Sequence, residues 1–290
     1  MKKRIFVIVV TFRGHKWYNR CFTSLSQSEI PVDVIVVDNA SMDGSVEYIE
    51  RNFPAVILLT SEHNLGFAKA NNIGIRYALD HGADYVFLLN QDAWIEVNTL
   101  TELLHTFEDN EQVGVASPMH LNGSYTALDV NFTRYMGTEF ISDAYLQKLK
   151  HYYEVPFVNA AAWLISKECL RKVGGFDTLL FKHYGEDDNY LQRVHYHGMR
   201  VFVDTRCTIC HDREGRAGKP FNTNLEYKIE KGNINNDSIF QEILDKKKSL
   251  WKAYLGLHPK RIRRLNREIR LLRDIELSRT YNIKGGENWL

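Results

Sequence analysis

Long apolar runs, a cysteine framework and an excess of charge are all missing from this 290-residue sequence, and each absence removes a class of protein. No stretch approaches the roughly 20 apolar residues that a membrane-spanning helix needs. The longest, Ile5 to Phe12, has the length of a strand. It follows Met1-Lys2-Lys3-Arg4, which invites a signal-peptide reading, but the polar Arg13-Gly14-His15-Lys16 that follows is a poor cleavage site. The segment is therefore expected to be the first strand of a cytoplasmic protein. Four cysteines are too few for a disulfide scaffold in a chain of this size. Cys207-Thr208-Ile209-Cys210-His211 spells a haem-attachment pattern, yet neither an export signal nor an all-helical pattern accompanies it. A zinc site would need a second Cys or His pair at finger-like spacing, which the chain lacks. A net charge of +1 carries no information on nucleic acid, and neither internal repeats nor low-complexity tracts occur.

What is present is an alternation of β-rich and helical runs. Strands are expected at Ile5–Thr11, Val32–Asp38, Ala55–Thr60 and Tyr85–Leu89. Helices are expected from Lys16 to Ser26, Gly44 to Asn52 (capped by Ser41 and Asp43), Phe67 to His81 and Thr99 to Glu108. Such alternation implies a parallel sheet with right-handed crossovers, whose ligands collect at the carboxyl ends of the strands. Polar clusters stand at those ends: Thr11-Phe12-Arg13, Asp38-Asn39-Ala40-Ser41 and Asn90-Gln91-Asp92. Further along, strands are expected at Val113–Ser117, Phe157–Ile165 and Met199–Asp204, and helices from Lys167 to Val173 and Asp187 to His197. Between Met119 and Tyr153 the pattern is irregular and aromatic-rich. Everything after Asn222 reads as helical.

Three places could carry chemistry, each with an ordinary alternative. Asp92 at a strand end could hold a divalent cation against a diphosphate, or simply cap a turn. Glu186, Asp187 and Asp188 open a helix, where they could supply a general base or merely complement the helix dipole. His211 closes a β run ahead of a polar loop and could be a metal ligand or a plain surface histidine.

Taken together, ordered blocks narrow these choices. They are Val9-Val10-Thr11-Phe12, the run from Val36 through Asp38 to Ser45, Asn64-Leu65-Gly66-Phe67 to Asn72, Leu88 to Asp92, and Gly174-Gly175-Phe176-Asp177 followed by Glu186-Asp187-Asp188. With Arg193, Gly198 and the late His211, this pattern resembles the family 2 glycosyltransferases of GT-A fold, in particular their bacterial rhamnosyltransferase-like branch. The resemblance covers about residues 4–215. It implies an α/β GT-A catalytic domain (1–215) with a Rossmann-like, mostly parallel central sheet flanked by helices, and a basic helical C-terminal extension (216–290). It implies an inverting, metal-dependent transfer of a sugar from a UDP- or dTDP-sugar to a hydroxyl of a glycan or lipid-linked acceptor, in cell-surface polysaccharide assembly.

Residue roles follow from the resemblance. Asp38 would read the pyrimidine, and Thr11 and Arg13 would line the nucleoside pocket. Asp43, Asn64, Asn90 and Gln91 fall in donor-binding blocks. Asp92 and His211 would hold Mn2+ or Mg2+, with Asp187 as base, Glu186 its neighbour and Asp188 the fallback. Asn90 stands where many relatives carry Asp, which leaves the metal site one charge short, and Asn189 stands where relatives often carry a further acid.

A nucleotidyltransferase is the competing enzyme class, although residues 11–16 lack the repeated glycines of a phosphate loop. A nucleotide-sugar-binding protein without catalysis is the non-enzymatic alternative. From Leu250 to Ser278 the chain is basic and amphipathic, with Ile262, Leu265, Ile269 and Leu272 at helical spacing among arginines. That helix could pack on the domain or a homodimer partner, or rest on anionic membrane. Nucleic acid is not expected, because no aromatic platform accompanies the charge.

Overall fold

The computed structural model describes residues 3–178, 181, 185–213, 245–250, 252–254 and 259–284. Its centre is one mixed sheet in which most paired positions are parallel. Strands β1 (Ile5–Thr11), β2 (Asp33–Asp38), β3 (Ile57–Thr60) and β4 (Tyr85–Asn90) form the parallel half, in the spatial order β3-β2-β1-β4. The chain moves outward from β1 through β2 to β3, then returns to the other side of β1 as β4. The β1–β4 boundary is thus a switch point, where crossovers leave in opposite directions and a crevice opens.

Period-two alternation explains how β1 is covered on both faces. Ile5, Val7 and Val9 join the apolar layer under α1 (His15–Ser26), α2 (Ser45–Asn52) and α4 (Thr99–Asp109). Phe6 and Ile8 join the opposite layer, with α3 (Gly66–Asp80), α7 (Lys167–Val173) and α8 (Glu186–Tyr196). In that second layer the rings of Trp163, Phe176 and Tyr190 pack against one another. Phe176 lies 6.2 Å from Trp163 and 5.0 Å from Tyr190, centroid to centroid. Offset aromatic packing of this kind adds to what burial alone contributes.

The second half of the sheet differs from the sequence expectation in informative ways. A strand forms at Ala162–Ser166 (β8) and not over the whole of Phe157–Ile165. Residues 159–161 instead make a tight turn, with the Ala161 N–H donating to the Asn159 carbonyl, which carries Asn159 and Ala160 to the cleft. Strand β6 (Val113–Asn122) and strand β9 (Arg200–His211) both run longer than apolar alternation suggested. Their parallel pairing slips between Pro118 and Met119, so β9 passes through the polar Thr205-Arg206 and resumes its pairing at Thr208. Two three-residue strands, β5 (Ala93–Ile95) and β7 (Tyr152–Glu154), pair antiparallel with β9. The irregular middle section contains α5 (Val130–Tyr135) and α6 (Gly137–Tyr145).

At α2 the expected caps are replaced. Gly44, at φ 81°, is the N-cap residue, and Ser41 takes no part in the cap. Asp43 accepts hydrogen bonds from the N–H and hydroxyl of Ser45 at 3.2 and 2.5 Å. All four cysteines are buried free thiols, and Cys207 and Cys210 lie within β9. The expected loop from Asp212 to Pro220 is described only as far as Arg213, and residues 222–244 of the expected helical region lie outside the described residues. Helix α9 (Pro259–Lys284) buries Leu265, Ile269 and Leu272, and Lys246 of the 245–250 helical segment bridges to its Glu268 at 2.7 Å.

Candidate active site

A cleft of about 390 Å³ opens at the carboxyl ends of β1, β2 and β4. Its first wall is built by a chain of hydrogen bonds that starts at buried Asp38. Thr11 Oγ1 donates to Asp38 Oδ1 at 2.9 Å, and the Ser41 N–H donates to Oδ2 at 2.8 Å. Ser41 Oγ in turn accepts from the Arg13 N–H at 3.0 Å. Arg13 and Ala40 sit at positive φ (50° and 63°), conformations that bulky side chains adopt only where the surroundings hold them. Asp38 therefore organises the loop through both oxygens. Thr11, Arg13, Asp38 and Asp43 do not line the cleft itself: Thr11 and Asp38 are buried beneath the loop, and Arg13 and Asp43 are exposed.

Buried Asn39 forms the cleft side of that wall. Its Oδ1 accepts from the Leu65 N–H at 2.7 Å and its Nδ2 donates to the Gly66 carbonyl at 3.2 Å. Asn64 Oδ1 accepts from the Gly66 N–H at 2.9 Å. Two asparagines thus fix the start of α3, placing Asn64, Gly66 and Phe67 on the cleft. Gln91 clamps Phe12 from the β4 side, accepting from its N–H at 2.9 Å and donating to its carbonyl at 3.1 Å. Asn90, Gln91 and Phe12 all face the same space.

Asp92 lines the cleft floor, and strand register brings buried His211 against it from behind. β5 pairs with β9 so that Ala93 stands opposite His211, and the Asp212 N–H donates to the Asp92 carbonyl at 2.9 Å. As a result Asp92 Oδ1 lies 3.5 Å from His211 Nε2, with Asn90 Nδ2 3.3 Å from the same nitrogen. Both Asp92 and His211 are buried. Among the described residues no group of three His, Cys, Asp or Glu side chains converges on one point. The groups available are one carboxylate, one imidazole and the Asn90 amide, whose Nδ2 faces His211. That is a partial shell of the kind divalent cations accept when substrate phosphates supply the remaining ligands.

The opposite wall is the start of α8. Gly185, at φ 90°, turns the chain into the helix, a conformation that a Cβ would disfavour. Glu186, Asp187 and Asp188 occupy the first turn, where the helix dipole favours negative charge. Glu186 and Asp187 line the cleft, whereas Asp188 does not. Packing raises the Asp187 carboxyl above the ordinary aspartate range, chiefly by desolvation. Hydrogen bonds from the Asp188 and Ala160 N–H groups pull partly the other way.

Sequence reasoning missed one charged residue of the cleft, Arg213. Trp17 Nε1 donates to Asp212 Oδ2 at 2.7 Å, which steers the end of β9 so that Arg213 turns inward. Its Nε lies 2.7 Å from Asp129 Oδ2, and Asp129 is the buried N-cap of α5, accepting from the Asn131 and Phe132 N–H groups. Position two residues after His211 was the available signal for Arg213; nothing local marked Asp129 as its partner. Asn39 was legible as part of a motif without a role, and Asn159 and Ala160 were hidden inside an expected strand.

A chain with this sheet and this cleft has the GT-A architecture. The Glycosyl transferase family 2 model matches residues 6–174, and the chain belongs to that family. Among its relatives, dTDP-rhamnosyl transferase RfbF of Shigella flexneri is 29% identical over 213 residues, covering 70% of this chain and 67% of that protein. An N-acetylglucosaminyl-diphospho-decaprenol L-rhamnosyltransferase of Mycobacterium tuberculosis is 25% identical over 244 residues, covering 74% and 78%. Among solved structures, S. aureus TarS 1-349 in complex with UDP superposes with a TM-score of 0.55 at 18% identity over 71% of this chain and 60% of that one. GalNAc-T7 with UDP, GalNAc and Mn2+ gives 0.65 at 16% identity over 85% and 51%. The chain thus spans about two thirds or less of several of these proteins.

Proposed function

We propose that this chain transfers a sugar from a UDP- or dTDP-sugar to a hydroxyl of a glycan or lipid-linked acceptor, with inversion, in the assembly of a cell-surface polysaccharide. The observation that carries the reading is one cleft lined by Asp92, which buried His211 backs at 3.5 Å, and by Asp187, whose carboxyl burial holds above the ordinary aspartate range. The acceptor hydroxyl would give its proton to Asp187 as its oxygen attacks the anomeric carbon. The bond from that carbon to the diphosphate oxygen breaks on the opposite face, and the nucleoside diphosphate leaves. Arg213, fixed by Asp129, places a positive charge where the leaving diphosphate gathers negative charge. Asp92 and His211, with Asn90, would hold Mn2+ or Mg2+, which when bound offsets the same charge. Glu186 adds a second carboxylate beside Asp187, and Asp188 is the less favoured base because it stands off the cleft. Asp38, with Thr11, Arg13 and Asp43, shapes the nucleoside end of the site, which Asn64 and Gln91 complete.

Residues 1–215 are proposed as the catalytic domain and 216–290 as its helical extension. Burial of the α9 apolar stripe favours packing on the protein over insertion in lipid, and leaves its arginines as an outward surface for an anionic membrane or a second copy. No helix among the described residues is long and apolar enough to cross a membrane, and we place the enzyme in the cytoplasm or at the inner face of the plasma membrane.

Slow hydrolysis of the donor, with water as acceptor, tests the reaction without knowledge of the natural acceptor. Among dTDP-rhamnose, UDP-glucose, UDP-galactose and UDP-GlcNAc, at least one should release free sugar of inverted anomeric configuration by NMR, and Asp92→Ala should abolish the release. Consumption of a sugar phosphate and a nucleoside triphosphate, with no donor hydrolysis, would point to a nucleotidyltransferase instead.

A further inference from the structure

Large apolar side chains are not exposed evenly over this protein. Of the thirteen exposed among the described residues, five (Val130, Ile141, Tyr145, Leu146 and Leu149) fall between residues 130 and 149. Helix α6 turns Phe140 inward, where it packs against Tyr153 with centroids 5.3 Å apart. Its outer side carries Ile141 and Tyr145, one helical turn apart, 58% and 87% exposed. Leu146 and Leu149 continue the ridge past the helix end, 58% and 47% exposed. A helix facing water alone would place charge there.

Basic residues are interleaved with this ridge. Every residue from Tyr145 to His151 is exposed, and the run reads Tyr-Leu-Gln-Lys-Leu-Lys-His. Of the nearby acids, Glu139 is ion-paired with Lys150, and Asp143 accepts from the neutral Tyr153 hydroxyl at 2.7 Å. Arg134 and Lys148 have no ion-pair partner among the described residues. With Arg134 and Lys148 against Asp143 the segment keeps a net positive charge, and apolar groups that project beside it suit one environment in particular, the headgroup layer of an anionic bilayer.

The ridge follows directly in the chain from helix α5, whose N-cap residue is tied to the cleft. Helix α5 begins at Asp129, the anchor of Arg213. Tyr135, at the end of the same helix, lies within the electrostatic reach of both Arg213 and Asp187.

We propose that residues 130–151 are the surface by which the enzyme docks on an anionic bilayer that presents a lipid-linked acceptor. Ile141, Tyr145, Leu146 and Leu149 enter the headgroup layer, and Arg134 and Lys148 meet the lipid phosphates. Only the identity of what the bilayer presents rests on the transferase reading; the docking itself is independent of it.

Co-sedimentation of the full chain with vesicles tests this, using phosphatidylcholine alone and phosphatidylcholine mixed with phosphatidylglycerol. The bound fraction should rise at least about fivefold with phosphatidylglycerol and fall as salt is added. Ile141→Ser/Tyr145→Ser/Leu149→Ser should lose at least about tenfold in binding, with the melting temperature and the nucleotide-induced thermal shift unchanged. Arg261→Gln/Arg263→Gln/Arg270→Gln in α9 should retain binding. The proposal is overturned if the parent protein stays in the supernatant with anionic vesicles, or if the ridge variant sediments as the parent does. Loss of binding in the α9 variant alone would also overturn it, as would light scattering that shows a parent dimer dissociated by the ridge substitutions. If nucleotides fail to bind while vesicle docking persists, the transferase reading falls and the docking surface stands.

Discussion

Replacing Arg193 tests whether the cleft wall that carries Asp187 is held from behind. The Arg193 side chain is buried and donates to three acceptors: Asn189 Oδ1 at 3.1 Å, the Val173 carbonyl at 2.7 Å and the Gly175 carbonyl at 2.6 Å. It thus ties the end of α7, the Gly174-Gly175 turn and the first two turns of α8 into one unit. Arg193→Met removes those donors and leaves two backbone carbonyls without them. A hydrogen bond from a charged donor is worth about 1.5–3 kcal/mol. Against three of these stands the relief of no longer burying a guanidinium, whose ionisation burial already disfavours. A net loss of about 3–5 kcal/mol follows, the usual cost of breaking a buried charged network. At about 2–4 °C per kcal/mol the melting temperature should fall by roughly 10 °C. Arg193→Lys keeps the charge but not the planar fork, and should recover less than half of the loss. Below the melting transition, sugar transfer should drop at least about tenfold because Asp187 loses its fixed position. Nucleotide affinity should hold, since the loops at 38–41 and 61–66 make none of these bonds. Differential scanning fluorimetry and a nucleotide titration measure both quantities. An Arg193→Met protein melting within about 2 °C of the parent would refute the reasoning.

Three further outcomes follow from the same geometry. Asp187→Asn should lower transfer by about 10²–10⁴-fold. The parent rate should rise with pH through a pKa above the ordinary aspartate range, because the base must be ionised, and the variant should lose that limb. The folded state holds this proton more tightly than the unfolded state does. The contribution to stability is therefore full below the unfolded-state pKa and lost as pH rises through the folded one, so Asp187→Asn should be at least as stable as the parent at neutral pH. Gly175→Ala would place a methyl 2.5 Å from Asn72 Oδ1, which accepts from the Phe176 N–H while Nδ2 donates to its carbonyl. It should cost about 1–3 kcal/mol in chemical denaturation, and a double-mutant cycle with Asn72→Ala should be clearly non-additive. Asn90→Asp puts a second carboxylate beside Asp92 and should tighten Mn2+ binding by about tenfold or more in calorimetry; an unchanged affinity would place the cation elsewhere.

Much of the fold was legible because local pattern and tertiary structure agree in the parallel half. Ile5–Thr11 reads as a doubly covered strand and is one, and the capped run Lys167–Val173 is a helix over those very residues. Elements that depend on distant pairing left no local trace. Strands β5 and β7 are three residues each and exist through β9. β9 itself runs through polar residues because Arg206 pairs with Asp204 and Glu102. The site divides the same way. Motif blocks pointed to Asp92, His211 and Asp187, but the approach of Asn90 and His211, 121 residues apart, is a product of strand register. Arg213 depends on Asp129, whose place at the cleft is set by where α5 begins.

The central claim is that the cleft binds a pyrimidine nucleoside diphosphate through a cation on Asp92. It is tested most directly by thermal shift with UDP, dTDP, GDP and CMP, each with and without Mn2+, on the parent protein and Asp92→Ala. A ligand at a hundred times its dissociation constant adds about 2.7 kcal/mol to apparent stability, or roughly 5–10 °C. The account predicts a shift of that order with UDP or dTDP that requires Mn2+ and disappears in Asp92→Ala. No shift with any nucleotide, or one that survives both metal removal and Asp92→Ala, would contradict it.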